Sequence, residues 1–243
     1  MMSDFRDLPN NQLQFYTTAP YACSYLSDQL ARSQVATPSQ SIDATIYSDL
    51  VRIGFRRSGA FTYRPTCDSC SACIPVRIDA ERFAPSRSQK RAVSRHAGLV
   101  TTMTELKNST EHYDLYLKYQ RARHNGGGMD QDSREQYRHF LLQSNVDTKL
   151  VEFRDGSQVV AVSIIDQLLD GISAVYTFFD IENKSASYGT YSICWQLDLC
   201  KALGLRYLYI GYWIKDSKKM SYKTKFRPLE ALVQDRWLPL ESL

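Results

Sequence analysis

Residues 148–180 read TKLVEFRDGSQVVAVSIIDQLLDGISAVYTFFD. Three apolar runs rich in β-branched and aromatic residues are separated by Asp155-Gly156 and Asp170-Gly171, dipeptides that favour hairpin turns. Three consecutive antiparallel strands are expected. The polar loop IENKSASYG (181–189) then leads into TYSICWQLDLCKALG, a helix that Gly204 ends. LRYLYIGYWI (205–214) follows as a buried strand. On the predicted helix, Ile193, Leu197 and Cys200 share a stripe, with Cys194 beside them, so both cysteines read as core.

Strand, strand, strand, helix, strand is an order that resembles the acyltransferase fold whose best-known members bind acyl-CoA. Working back from residue 148, SREQYRHFLLQS (133–144) and STEHYDLYLKYQRARHNGGG (109–128) read as helices, the second broken by Gly126 to Gly128. VTTMTEL (100–106) reads as a strand. PSRSQKRAVSRHAG (85–98) is a helix, with a capping box from Ser86 and Gln89 and a stop at Gly98. IPVRIDA (74–80) is a strand. IYSDLVRIGFRRSGAFTYRP (46–65) is a helix or strand, a turn at Gly59, and a second strand. PYACSYLSDQLARSQ (20–34) is a short helix or strand. The end, MSYKTKFRPLEALVQDRWLPL (220–240), reads as a helical turn and one final strand. The expected class is α+β: a small, basic, Cys-bearing N-terminal domain over 1–98, and an acyl-CoA N-acyltransferase (GNAT)-like domain over 99–243.

The chain has 243 residues, 43% hydrophobic and 23% charged, which marks it as globular rather than disordered. No run approaches the ~18 apolar residues of a membrane span. The start, MMSDFRDLPN, has an acid and no apolar core, unlike a secretory signal. The cytoplasm is the expected location, where six cysteines serve metal, redox or core roles rather than disulfides. Net charge is only +4, but it is clustered. Arg82 to His96 holds five Lys or Arg and no acid, and Lys215 to Arg227 holds six with Asp216 as the one acid. Two surfaces that meet negative charge are expected, against the plainer alternative of solvated faces. Arg87, Lys90, Arg91 and Arg95 stand at helical spacing, where like charges repel unless a polyanion binds them. Sixteen tyrosines offer rings for stacking bases, though core or rim packing is the commoner use of any one of them.

Cys67, Cys70 and Cys73 form C-x2-C-x2-C. Zinc takes tetrahedral sulfur sites and iron–sulfur clusters take four thiolates. Cys23, the other cysteine of the N-terminal half, is the candidate fourth ligand, with Asp68 or water as alternatives. The competing reading is small buried hydrophobes and free thiols.

GFRRSGAFTYRPTCDSCSACIPVRI, FAPSRSQKRA, AVYTFFD, YGTYSICWQ, YLYIGYWI and KKMSYKTKFRPLEAL together resemble the arginyl-tRNA–protein transferase family, most closely its bacterial branch, over roughly residues 12 to 238. The resemblance implies transfer of an aminoacyl group, here leucyl, from charged tRNA to the N-terminal amine of a protein that begins with Asp or Glu. The new N-terminal Leu marks that protein for degradation. The implied partners are Leu-tRNA and such proteins, with no DNA and no membrane. No cofactor is needed for the chemistry; a zinc ion or iron–sulfur cluster on the N-terminal cysteines is implied by the eukaryotic members, whose cysteine spacing differs. Many relatives carry a Cys where this chain has Ser217, so that thiol is dispensable. Acyl-CoA users of the fold have a Q/R-x-x-G-x-G/A loop. SASYGTYS has Gly189 alone, which argues against an acetyl-CoA-dependent N-acetyltransferase. A non-catalytic, metal-containing RNA-binding module is the other alternative.

Aminolysis of an aminoacyl ester requires a neutral amine held near the carbonyl, oxyanion stabilisation and a proton acceptor. Asp180, at a strand end, is the candidate to bind the amine or relay its proton, unless it is a plain turn residue. Tyr176 and Phe178 share its face and line a leucyl or adenosine pocket, or the core. Gly189 and Tyr191 open the following helix, whose amides face an oxyanion or phosphate. Lys218, Lys219, Lys223 and Lys225 are candidates for the tRNA end. Arg56 or Arg57, or equally Arg123, is the candidate fork for the acidic side chain of the substrate. His124 is a candidate base or a helix cap.

Overall fold

The computed structural model describes residues 13–123, 132–183 and 185–242. Asp43 and Ser86 each accept a hydrogen bond from the amide three residues on, and each starts a helix: α1 (Ala44–Arg52) and α2 (Arg87–Arg95). The capping box expected at Ser86 is complete, with the Ser86 amide donating to Gln89 Oε1 at 2.7 Å. Helix α3 spans Thr110–Arg123. Helix α4 (Arg134–Leu141) repeats the capping box with Ser133 and Gln136. Helix α5 (Tyr188–Ala202) has no side-chain cap; Ser187 before it is left-handed, at φ 60°.

The strands are β1 (Gln14–Thr17), β2 (Tyr21–Ala22), β3 (Leu30–Ala31), β4 (Ser33–Thr37), β5 (Arg56–Ser58), β6 (Phe61–Pro65), β7 (Ile74–Asp79), β8 (Val100–Thr104), β9 (Thr148–Asp155), β10 (Gln158–Gln167), β11 (Gly171–Phe179), β12 (Tyr207–Trp213), β13 (Leu229–Val233) and β14 (Arg236–Pro239). They form an eight-stranded sheet in the order β14-β13-β7-β12-β11-β10-β9-β8, a four-stranded sheet in the order β1-β4-β6-β5, and the small β2-β3 pair. The meander expected over 148–180 is present as β9, β10 and β11. Strands β11 and β12 are parallel neighbours, and α5 is the crossover between them, as parallel pairing requires.

Two details depart from expectation. Gly171 is not a turn residue: it opens β11, and a Cβ there would lie 2.2 Å from the Tyr207 carbonyl oxygen. The end of the chain is a hairpin rather than one strand. Gln234 and Asp235, at φ 49° and 59°, make its turn, a pair that lacks the glycine by which such turns are usually recognised.

Helices α2 and α5 cover one face of the large sheet, where Ile193, Leu197 and Cys200 pack on Ile78, Ile172 and Leu208. Cys194 and Cys200 are buried there, as expected. Helices α3 and α4 cover the other face through Leu115, Tyr116, Tyr137 and Leu141. Helix α1 packs Tyr47, Leu50 and Val51 together with Phe55, Leu168 and Tyr209. That cluster draws on both sides of residue 98. Strand β7, from the N-terminal side, lies between β13 and β12 inside the large sheet. The separate N-terminal domain expected from the sequence is therefore a lobe that shares its core and one strand with the rest.

Candidate active site

Strands β11 and β12 pair at Gly171–Tyr207, Ile172–Leu208 and Ser173–Tyr209, and no further. Beyond that point β11 runs on to Phe179 and β12 to Trp213, with no ladder between them. The register of β12 against β7 shifts between Tyr209 and Tyr212, and Gly211 sits there at φ +83°. A lone glycine inside an apolar strand marks such a bulge. The result is a notch in the sheet, where β11 and β12 run on without pairing.

Arg56 and Lys223 occupy the floor of the notch, 8% and 6% exposed. Arg56 Nη1 donates at 3.0 Å to the Oγ of Ser173, the last residue of β11 paired with β12. Lys223 Nζ donates to the Tyr212 carbonyl oxygen at 2.5 Å. Burial pulls the Lys223 amine down to about 7, Arg56 pushes the same way, and Cys73 opposes. Its unfolded value is higher, so burying this lysine costs stability in full below about pH 7, and the cost fades as pH rises from there toward 10.5. Lys223→Met should therefore raise the urea midpoint, more at pH 6 than at pH 9. An equal shift at both pH values would show that the amine is not held down in the fold.

Aromatic rings form one wall. Tyr119 lies against Phe179 with centroids 4.9 Å apart, and Phe140 against Tyr176 at 5.2 Å. The Tyr176 hydroxyl donates to Gln120 Oε1 at 3.2 Å, Gln120 Nε2 donates to the Tyr116 hydroxyl at 2.7 Å, and Tyr116 donates to Asp132 Oδ2 at 2.5 Å. Burial raises the Tyr176 phenol well above its ordinary range, so it is a fixed neutral wall rather than a titrating group. Gln120, Tyr119 and Ser173 were not singled out from the sequence, because nothing local distinguishes them.

The other sequence candidates fall into three groups. Asp180 is half-buried, and its Oδ1 accepts the Glu182 amide at 3.0 Å, closing a local turn. Gly189 sits on Phe179, whose ring would lie 2.9 Å from a Cβ there. Arg123 is exposed, its guanidinium 5.9 Å from the Phe179 centroid. Two candidates are turned away from the notch. Tyr191 packs its ring on His96 and Phe153 and belongs to the core, because the first turn of α5 faces α2. Phe178 is core as well. Arg57 is bound within the protein: it donates to both oxygens of Asp166, at 3.0 and 2.7 Å, and to the Gly59 and Gln143 carbonyls. No donor is left to fork a substrate carboxylate. His124 lies outside the described residues.

The basic clusters meet. Arg87, Lys90, Arg91 and Arg95 are exposed on α2, while Gln89 and Ala92 turn inward. Gln89 Nε2 donates to the Lys225 carbonyl oxygen at 3.0 Å, and Phe83 stacks on Phe226. Lys218, Lys219 and Lys225, exposed on the 3-10 helix Lys218–Lys225, therefore extend the same surface, and Lys223 alone of that row points inward. The two clusters expected from the sequence adjoin at Lys225.

Cys23, Cys67, Cys70 and Cys73 line a common cavity of about 150 Å³ with Tyr25, Tyr63 and Tyr212. Burial, then the other three thiols, push Cys73 up to about 12. Among the described residues, no group of three or more His, Cys, Asp or Glu is drawn together closely enough to grip an ion. No helix among them is long and apolar enough to cross a membrane.

A family profile described as "Arginine-tRNA-protein transferase, C terminus" matches residues 111–233, and its companion, "Arginine-tRNA-protein transferase, N terminus", matches residues 21–91. The Nitrosospira multiformis protein named aspartate/glutamate leucyltransferase is 62% identical over 242 residues, spanning 100% of this chain and 96% of its own. A Polynucleobacter asymbioticus protein of the same name is 55% identical over 245 residues, spanning 98% of this chain and 99% of its own. Among solved structures, one described as "Crystal structure of FemX" overlaps 87% of this chain and 84% of that chain, at 8% identity and a TM-score of 0.48.

Proposed function

Because the chain belongs to the arginine-tRNA–protein transferase family, we propose that it acts as its aspartate/glutamate leucyltransferase relatives are named, moving leucine from Leu-tRNA to the N-terminal amine of proteins that begin with Asp or Glu. The marked proteins become substrates for degradation. The observation that carries this reading is the notch between β11 and β12, with a basic surface on α2 and the 3-10 helix and an aromatic wall at its side. The crossover through α5 supports a GNAT-like architecture for residues 99–243.

In the reaction the amine nitrogen attacks the leucyl ester carbon. The C–N bond forms, the C–O bond to the terminal ribose breaks, and the freed ribose hydroxyl keeps a proton from the amine. The task of the protein is chiefly placement. The rings of Tyr119, Phe140, Tyr176 and Phe179 suit the leucyl chain or terminal adenine, by apolar contact and stacking. Arg87, Lys90, Arg91, Arg95, Lys218 and Lys219 suit the phosphates. Asp180 remains at the rim as a contact for the amine, and Gly189 lets α5 approach Phe179.

Cys23, Cys67, Cys70 and Cys73 share one cavity and would supply the thiolates for a zinc ion or iron–sulfur cluster, but they would have to draw closer together than they stand to grip it. Such a group would hold the 67–73 loop against the lobe, and no step of the transfer is assigned to it. Metal analysis of protein purified without air tests this. An empty site, with transfer surviving Cys70→Ser, would remove the metal.

Radiolabelled leucyl-tRNA mixed with a reporter beginning with Glu should yield labelled reporter. Binding of tRNA without transfer would favour a non-catalytic RNA module, and label arriving only from acetyl-CoA would favour an acetyltransferase. Arg87→Glu with Arg91→Glu should weaken Leu-tRNA binding by about 10-fold or more and lower the salt slope by about 2. Both side chains are exposed, so the melting transition should stay put. An unchanged salt slope would remove α2 from the tRNA surface.

A further inference from the structure

Among the described residues, three arginines are buried, and two of them have a carboxylate. Arg57 has Asp166, and Arg77 has Glu230 at 2.7 Å. Arg56 has neither: Nη1 reaches the Ser173 hydroxyl, and Nη2 is buried with no hydrogen-bond partner. Lys223 is buried beside it and donates only to a main-chain carbonyl. A Cβ placed on Gly211 would lie 3.4 Å from Lys223 Nζ and 3.5 Å from Arg56 Nη2. The two cations therefore converge on one point, at the bulge where β12 leaves β11. No described carboxylate bonds to either.

A buried guanidinium with no counterion and one nitrogen left without a hydrogen-bond partner is rare enough in native folds to call for an explanation. The missing partner must be a small anion that enters the notch. Phosphates are already provided for on the exposed face of α2. A planar, singly charged carboxylate suits a fork beside a point charge in a confined site. Gly211, with no side chain, leaves the space open, and its positive φ holds the bulge in place.

We propose that Arg56 and Lys223 together form the receptor for the acidic side chain of the acceptor's first residue. This rests on the leucyl-transfer reading above and assigns its acceptor specificity to a single subsite. Gln at the acceptor N-terminus keeps the shape but not the charge, and leaves both cations unpaired. Asp and Glu satisfy them. The main chain of the acceptor then lies in the notch, with its amine toward the leucyl ester.

Fluorescence anisotropy of short labelled peptides on the free protein tests the subsite without any transfer. A Glu-starting peptide should bind about 100-fold tighter than its Gln-starting twin, and Arg56→Met or Lys223→Met should each erase most of that preference. In the transfer assay both variants should raise KM for the Glu reporter while leaving Leu-tRNA binding within about twofold. Lys223→Met is expected to gain stability, so its loss of preference cannot be unfolding. Arg56→Lys, which keeps one charge, should recover part of the preference. Equal binding of Glu and Gln peptides by the wild type overturns the proposal. So does a loss of Leu-tRNA affinity in both variants, which would give the cations to the tRNA. Retained peptide preference with no leucyl transfer would sink the transfer reading and leave the subsite standing.

Discussion

Asp166→Asn should remove roughly 3–5 kcal/mol of folding free energy, a large part of what a domain of this size has. Asp166 is fully buried at the centre of a network that closes the N-terminal lobe onto the sheet. It accepts from Arg57 at 3.0 and 2.7 Å, from the Tyr47 hydroxyl at 2.9 Å and from Thr148 Oγ1 at 2.6 Å. Asparagine keeps the volume and removes the charge, so the Arg57 guanidinium is left buried without its counterion. The penalty comes from that stranded charge rather than from lost contact area. It follows that Arg57→Met combined with Asp166→Leu should recover most of the loss, because a buried pair contributes little net stability over an apolar replacement. Urea unfolding at pH 7 of Asp166→Asn and of the Arg57→Met/Asp166→Leu double variant decides it. A drop below about 1 kcal/mol for Asp166→Asn would show that the network is not what holds the lobe.

The same network shows why part of the site was hidden in the sequence. Arg56 and Arg57 are adjacent and chemically alike, and both were equal candidates. Asp166 and Ser173 are register partners on β10 and β11; Arg57 binds the first and Arg56 the second. Nothing in the local sequence reveals which, since Asp166 lies 109 residues away from Arg57. The meander, α2 with its capping box, and the core cysteines were legible because each depends on a local pattern. The lobe boundary was not: β7 joins the large sheet through pairing with β12 and β13, strands that come more than 120 residues later. Lys223 looked like one of a row of surface lysines. Only the 3-10 helix, which turns Met220 and Lys223 inward and leaves Lys218, Lys219 and Lys225 outside, separates it from them.

Gly171→Val should uncouple the two halves of the large sheet. Three register pairs join β11 to β12, and Gly171 is the first of them. A Cβ at this position would stand 2.2 Å from the Tyr207 carbonyl oxygen and 3.0 Å from its carbon. Those are main-chain atoms, so no rotamer change relieves the contact, and β11 has to move away from β12. The strand end is also tied by the Tyr207 amide donating to the Asp170 carbonyl at 3.1 Å and the Leu168 amide donating to that of Gly171 at 2.9 Å, so the displacement spreads to both sides of the pair. Overpacking against side chains already costs about 1–3 kcal/mol; against backbone the loss should reach the top of that range or pass it. The notch depends on the same three pairs, which close it at one end. Shifting them moves Ser173, and with it Arg56, so leucyl transfer should fall further than the melting transition alone explains. Gly98→Ala is the control, since a Cβ there meets nothing within 4 Å, and it should leave both stability and transfer unchanged. If Gly171→Val unfolds within about 0.5 kcal/mol of the wild type, the sheet is not stitched at this point. The notch would then need another anchor, and α5 is the element left to supply it.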